Sequence, residues 1–293
     1  MIIDEIYISS YQELKDKIED IKSKLEQFKF LDPKNEKVYF RGQANKEWNL
    51  IPNILRGNCS ELRQINKTNK IFDTNDANRL AIAQHYGKKT RCLDFTRNLN
   101  VALYFACKPD ENIKNDGAIY CVLAYGHRPR WFTNYLVNHI SSSTETIISA
   151  NDLSTKLLQN ENIVSEFERT GRSTELYDVN DEVQIYLGKG FMVDFEGEND
   201  LFEKYPRILK QDGALFYFGS KYFYYDDKTG KKINVPIEKL NYGSHGKYFI
   251  KLHGLNKKSL NRFEIYKFII PQHLKEEIFK NINISAKDLG FED

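Results

Sequence analysis

Neither sign of charge dominates this chain of 293 residues: 43 lysines and arginines face 41 aspartates and glutamates, for a net charge of +2. Electrostatics therefore gives no reason to expect a nucleic-acid or anionic-membrane partner. Cysteine is sparse. Cys59, Cys92, Cys107 and Cys121 are widely spaced, with no CxxC pair, and the opening MIIDEIYISSYQELKDKIED has no secretory leader. The thiols are expected to be reduced and mostly buried, in a cytoplasmic protein. No apolar run is long enough to cross a bilayer. Phosphate loops of the GxxxxGK(S/T) type, GxGxxG after a strand, HExxH, metal-type Cys/His spacing and GxSxG elbows are all missing. Their absence disfavours the familiar nucleotide hydrolases, zinc enzymes and serine hydrolases. There is no internal repeat and no low-complexity tract.

What is present favours a packed core, with 41% apolar residues and 13% aromatics, 18 Tyr and 19 Phe among them. Leu14, Ile18 and Ile21 recur at helical spacing behind Ser9 or Ser10 as N-cap, which predicts an amphipathic helix within residues 1–36 that packs on the domain. KVYFRG reads as a short strand closed by Gly42. Helix is expected over much of Glu61 to Tyr86, with Asp76 as a cap and Gly87 as the stop. TRCLDFT reads as extended and NLNVALYFACK as a helix whose Val101, Ala102, Phe105 and Ala106 face inward. GAIYCVLAY reads as a buried strand. Residues from about 127 to 200 are weakly patterned and read as a mixed, partly helical insertion. ALFYFG, YFYY, GKYFIKL and RFEIYKFIIP are strand-like, and QHLKEEIFKNI closes as a helix. Interleaved helices and strands followed by a strand-rich second half argue for α+β, with one domain over residues 37–293.

Polar side chains crowd one stretch, AIAQHYGKKTRCLDFTRNLNVALYFA (Ala81 to Ala106). Gln84, His85, Tyr86, Thr90, Arg91, Asp94 and Thr96 gather where a helix, a loop, a strand and the next helix meet, and polar groups at element ends on a rigid frame are how sites are usually built. Each also has a structural reading. Asp94 or Thr96 could cap the next helix, His85 could bond a carbonyl, and Arg91 could pair with Asp94. Arg41, at the end of a strand and followed by glycine, adds a cation to the set.

Together, YFRGQANKEWNLIPNILR, the QHYG..TR.LD.T…..ALYFA pattern and YPRILKQDGALFYF (Tyr205 to Phe218) resemble the FRG domain family, named for its Phe/Tyr-Arg-Gly motif. The resemblance runs from about Val38 to Ile282, interrupted by the insertion. Lys88-Lys89, Cys92, Phe95, Asn98 and Asn100 depart from the usual residues of that family. The layout also resembles ADP-ribosyltransferases of the Arg-Ser-Glu arrangement, which implies split antiparallel sheets with flanking helices and NAD as substrate. On that resemblance Arg41, Gly42, Gln43, Gln84, Tyr86, Arg91 and Phe95 are expected to bind NAD. The guanidinium of Arg41 would grip its pyrophosphate, and Tyr86 or Phe95 would stack on the nicotinamide. Asp94, His85, Gln211 and Thr96 are the expected catalytic groups, with no metal. No glutamate stands two residues after Gln211, so Asp94, or Glu166 or Glu168 from the insertion, takes that role, or the chemistry is different.

The expected function is ADP-ribosyl transfer from NAD to a macromolecular acceptor, protein or nucleic acid, in a bacterial toxin or phage-defence setting. An antitoxin or other defence-system component is a candidate partner, and no membrane is involved. The alternatives are a non-enzymatic module that binds a nucleotide or phosphate ligand, and an NAD hydrolase or nuclease using His85 and Asp94.

Overall fold

A computed structural model of the chain describes residues 5–27, 36–48, 50, 52–53, 76–85, 87–127, 129–142, 150–196, 206–217, 222–225, 232–235 and 264–291. A short strand, β1 (Glu5–Tyr7), leads into α1 (Tyr11–Gln27). Ser10 Oγ accepts the Glu13 N–H at 3.1 Å, and the Glu13 carboxylate accepts from Ser9 N–H at 2.7 Å, a reciprocal cap that starts the helix. Leu14, Ile18 and Ile21 are buried in one cluster with Phe40, Ala102 and Ile119. Then follow β2 (Glu36–Gln43), α2 (Asp76–His85), β3 (Cys92–Thr96), α3 (Leu99–Cys107) and β4 (Gly117–His127). The expected helix before Asp76, the GKYFIKL strand and Cys59 lie outside the described residues.

The weakly patterned insertion is more regular than its sequence suggests. Its described residues form four helices, α4 (Trp131–Ser142), α5 (Ala150–Leu158), α6 (Glu161–Thr170) and α7 (Leu176–Lys189), and then an unexpected strand, β5 (Phe191–Asp194). The chain continues through α8 (Pro206–Lys210), β6 (Gly213–Tyr217), β7 (Tyr222–Tyr225), β8 (Lys232–Val235), β9 (Glu264–Ile270) and α9 (Gln272–Ile282).

The fold is α+β. Among the described residues seven strands form one sheet in the order β1-β9-β4-β2-β3-β6-β5, and β5 also pairs with β4, so the sheet curls closed. The expected split lies between β2 and β3, within one sheet whose pairings among the described residues are antiparallel except β1–β9 and β4–β5. Strand β2 pairs with β4 over its whole length, from Glu36↔Tyr125 to Gln43↔Ala118, but with β3 only at Phe40↔Thr96. Beyond Phe40 the two strands part, which leaves an opening in the sheet.

Tyr39, Leu93, Phe95, Tyr120, Val122, Met192 and Phe216 fill the inside of the curl. α1, α3 and α9 cover one outer face, and the insertion helices pack over β5 and β6. Cys92, Cys107 and Cys121 are buried thiols, and burial pushes Cys107 and Cys121 up to about 12, as inert core cysteines require.

Gly42 is fixed by close backbone contact. A Cβ there would stand 1.8 Å from the Ala102 carbonyl oxygen and 3.0 Å from Ala106 N, both backbone atoms of α3. It is the backbone of the helix that approaches the strand at this glycine. Gly42→Ala is expected to destabilise by at least about 3 kcal/mol, the upper range of core overpacking. Gly171→Ala, with its φ of 69° but nothing within 4 Å of the added methyl, should cost only about 1–2 kcal/mol. Denaturant titration of both variants measures the contrast.

His127 is fully enclosed against Tyr186 and Phe191, and burial, with the Arg172 charge, pushes its imidazole down to about 3. The native state therefore refuses a proton that the unfolded chain accepts near pH 6.5. Its contribution is complete above that pH and lost as pH falls toward 3, by about 1.4 kcal/mol per pH unit. Stability measured from pH 6.5 to 4 should fall less steeply by that slope in His127→Phe.

Candidate functional site

A cleft of about 340 Å³ opens where β2 and β3 part. Strand β2 supplies Arg41, Gly42 and Gln43, the end of α2 supplies Gln84 and His85, and β3 supplies Asp94, Phe95 and Thr96. Gln211 enters from the turn after α8. Residues far apart in the sequence thus line one cleft. Arg91 is not among the lining residues, and Tyr86 lies outside the described residues. Phe95 touches the cleft, but its ring is buried in the curl of the sheet, so Phe105 and Trp48 are the more open aromatic walls. Phe105, expected to face inward, is instead partly exposed.

Gln84 reaches Asp94 because α2 stops on Gly87, whose φ of 69° allows its N–H to return to Gln84 O and the Lys88 N–H to Ala83 O. Gln84 Nε2 then donates to Asp94 Oδ2 at 3.0 Å, while Gln84 Oε1 accepts from Thr90 Oγ1 at 2.5 Å. Thr90 in turn accepts the Cys92 N–H at 3.1 Å. This chain of bonds fixes the amide orientation and aims the Asp94 carboxylate. Arg41 spans the parting strands and donates from Nη1 to Asp94 O at 2.6 Å. It also lies 3.9 Å from the Asp94 carboxylate, whose side chain is 50% exposed. Exposed at that level, the ion pair itself adds little stability.

Burial pushes the His85 imidazole down, Asp94 opposes the shift and Arg207 adds to it. His85 is therefore neutral near pH 7, and one ring nitrogen is available to accept a proton. Gln43 is buried, and its side-chain oxygen has no hydrogen-bond partner among the described residues. An orphan acceptor on a cleft wall calls for a donor from a ligand or water.

Thr96 is structural. Its hydroxyl donates to Gln211 O at 2.7 Å and accepts the Asn98 N–H at 2.9 Å. The cap of α3 is neither Asp94 nor Thr96 but Asn98, whose side chain accepts the Asn100 N–H at 2.9 Å. The two insertion glutamates stay out of the cleft. Glu166 accepts the Phe132 N–H at 3.2 Å at the start of α4, and neither it nor Glu168 lines the cleft. The carboxylates that do line it are Asp94 and Asp110. No metal-binding group of three His, Cys, Asp or Glu occurs among the described residues.

Sequence reasoning passed over two features. One is Arg207, inside the quoted YPRILKQDGALFYF, which lines the cleft. Its signal is its place four residues before Gln211, one helical turn away. The other is an ion cluster beside the cleft, in which Arg97 joins Asp212, Asp194 and Glu196 while Lys37 bonds Asp194 at 2.8 Å and also Glu196. Burial works to raise the Asp194 carboxyl, but Lys37, the Glu196 N–H and Arg97 hold it below the usual range. Tyr39 Oη also donates to it, at 3.0 Å.

The class defined here is an α+β protein with a small-molecule-sized cleft at a split in its sheet, a size typical of ligand sites. Residues 36–115 match the FRG domain, and the chain carries an FRG domain in that span. The match takes in Arg41, Gln84, His85, Asp94 and Thr96 and stops before Arg207 and Gln211. No curated protein and no solved structure gives a significant match.

Thr96→Val removes one partner each from Gln211 O and Asn98 N–H, and it should cost about 1–3 kcal/mol, the penalty for buried polar groups left unmade. Thr96→Ser should recover most of it. Equal stability of wild type and Thr96→Val by denaturant titration would contradict the structural role.

Proposed function

We propose that this protein uses NAD to transfer ADP-ribose to a macromolecular acceptor, as a toxin or defence effector. One observation carries the reading: a strand-end guanidinium, a held carboxylate and a neutral imidazole, from Arg41, Asp94 and His85, line a single ligand-sized cleft at the split in the sheet. The fit to NAD rests on complementary donors and acceptors. Arg41 offers a planar fork to phosphate oxygens, and the orphan Gln43 oxygen offers an acceptor to a hydroxyl or amide N–H.

The reaction breaks the bond between nicotinamide nitrogen and ribose carbon, with the electron pair leaving on nicotinamide, and joins that carbon to a nucleophile of the acceptor. Asp94 faces the positive charge that builds on the ribose carbon, and Gln84 keeps its carboxylate aimed. His85, kept neutral by burial, receives the proton that the acceptor nucleophile loses. Asp94 serves where the related layout would use a glutamate.

A second reading, a non-enzymatic module for a nucleotide or phosphate ligand, is favoured by the absence of any glutamate among the described lining residues. Nicotinamide release from NAD, with and without cell lysate, separates the two. Under the first reading release requires lysate and falls by roughly 100-fold or more in Asp94→Asn, the scale of losing one aligned electrostatic contact to a transition state. Because Asp94 is half exposed, that variant should keep its stability within about 0.5 kcal/mol. Release without lysate would point to an NAD hydrolase. Failure to release nicotinamide, with NAD still raising the melting temperature, would leave the binding module. Failure of both would exclude NAD.

A further inference from the structure

We propose that Arg207 is a second anion-binding residue of the cleft, that Phe291 positions it, and that the cleft prefers two linked phosphates to one. The proposal deepens the reading above, resting on it only in taking the cleft as a ligand site.

Arg207 lies on α8, outside the FRG match, yet lines the same cleft as Arg41. Its guanidinium carbon sits 4.0 Å from the centroid of the Phe291 ring. Stacking of that kind holds the planar fork flat and leaves its edge for hydrogen bonds. The Nε is buried without a hydrogen-bond partner, and among the described residues no carboxylate lies within ion-pair distance of the guanidinium. Burial works against the charge, and Asp94 supports it only from a distance. A cation held this way, partly desolvated and short of partners, is suited to an arriving anion. Arg41 already spends one N–H on Asp94 O. Two guanidinia on separate elements, β2 and α8, match two phosphate groups better than one.

The support for Arg207 comes from a segment that the sequence left without a role. Residues 285–291 form a turn in which the Leu289, Gly290 and Phe291 N–H groups return to Ala286 and Lys287 carbonyls. Leu289 is buried, and its carbonyl accepts from Gln211 Nε2 at 3.1 Å. At Gly290, with φ 76°, an added Cβ would lie 3.3 Å from Arg207 Cα, so the turn passes directly against the arginine. The Phe291 ring is braced from behind by Phe105 and Tyr104 of α3, with centroids at 5.8 and 6.5 Å. One short turn thus holds both cleft residues that the family match leaves out.

Calorimetric titration of the full chain with sodium pyrophosphate and with orthophosphate tests this. Wild type should bind pyrophosphate more tightly. Arg207→Gln should weaken pyrophosphate by roughly 10- to 100-fold, the worth of a charge-assisted hydrogen bond, and orthophosphate much less, so that the preference collapses. Phe291→Leu should weaken pyrophosphate with orthophosphate little changed, and Phe291→Trp should restore it, a rescue that loss of simple packing would not predict. If Arg207→Gln fails to fold, Arg207→Lys carries the test, since it keeps the charge, loses the fork and should still lose the preference. Absence of pyrophosphate binding, or equal affinities in wild type and the Arg207 variants, would overturn the proposal. So would a failure of Phe291→Trp to rescue, for the positioning role. Arg207-dependent pyrophosphate binding in a protein that releases no nicotinamide would keep this inference while removing the NAD reading. Nicotinamide release with an unchanged KM in Arg207→Gln would do the reverse.

Discussion

Between β2 and α3 there is room for a hydrogen and nothing larger, and much of the site follows from that contact at Gly42. α3 continues almost directly from β3 through Arg97 and Asn98. Seating the helix on β2 therefore fixes where β3 ends and how the two strands separate. Strand β2 is otherwise held along its full length by β4. The strand bearing Arg41 is thus rigid on one side and open on the other, and a guanidinium at that opening is placed by backbone, with little left to side-chain freedom. The Phe/Tyr-Arg-Gly motif reads physically as an anchor, a cation and a contact point for the helix.

The polar groups around the opening divide into those that hold and those that are held. Thr90, Gln84 and Thr96 commit hydrogen bonds to neighbours and so define distances. Asp94 and Gln43 keep acceptor capacity facing the cleft. The ion cluster around Asp194 belongs to the first group, since it ties the residue after β3 to β5 and to Lys37 of β2. Burying Asp194 costs desolvation, so the value of the cluster lies in holding geometry rather than in net stability.

Local chemistry was legible in the sequence and long-range placement was not. The end of α2 could be read because Gly87 takes a left-handed φ that few other residues adopt, and α3 because NLNVALYFACK repeats its apolar residues at helical spacing. Nine of the expected site residues share the cleft because the motifs that carry them sit at element ends. Phe105 was misplaced because the helix faces solvent and cleft on one side, a distinction that periodicity does not make. Strand β5 was missed because four residues carry too little pattern, and its pairing with both β4 and β6 is what shapes it. Glu166 was a candidate only while α6 had no position. Once its carboxylate accepts the Phe132 N–H, it is a helix cap.

The matched segment supplies most of the cleft lining, and Arg207 and Gln211 come from elsewhere in the chain. Residues 36–115 contribute the strand-end cation, the aimed carboxylate and the imidazole. Gln211 and Arg207 join them in the lining, tied to the rest by the Thr96–Gln211 bond and by the turn that ends at Phe291. A chain that kept the motif but lost that turn would retain Arg41, Asp94 and His85 and lose what holds Arg207 and Gln211 in the cleft lining. Under the proposed function, ligand choice can therefore change through Arg207 and Gln211 while the motif stays the same, and the motif identifies the domain without naming what it binds.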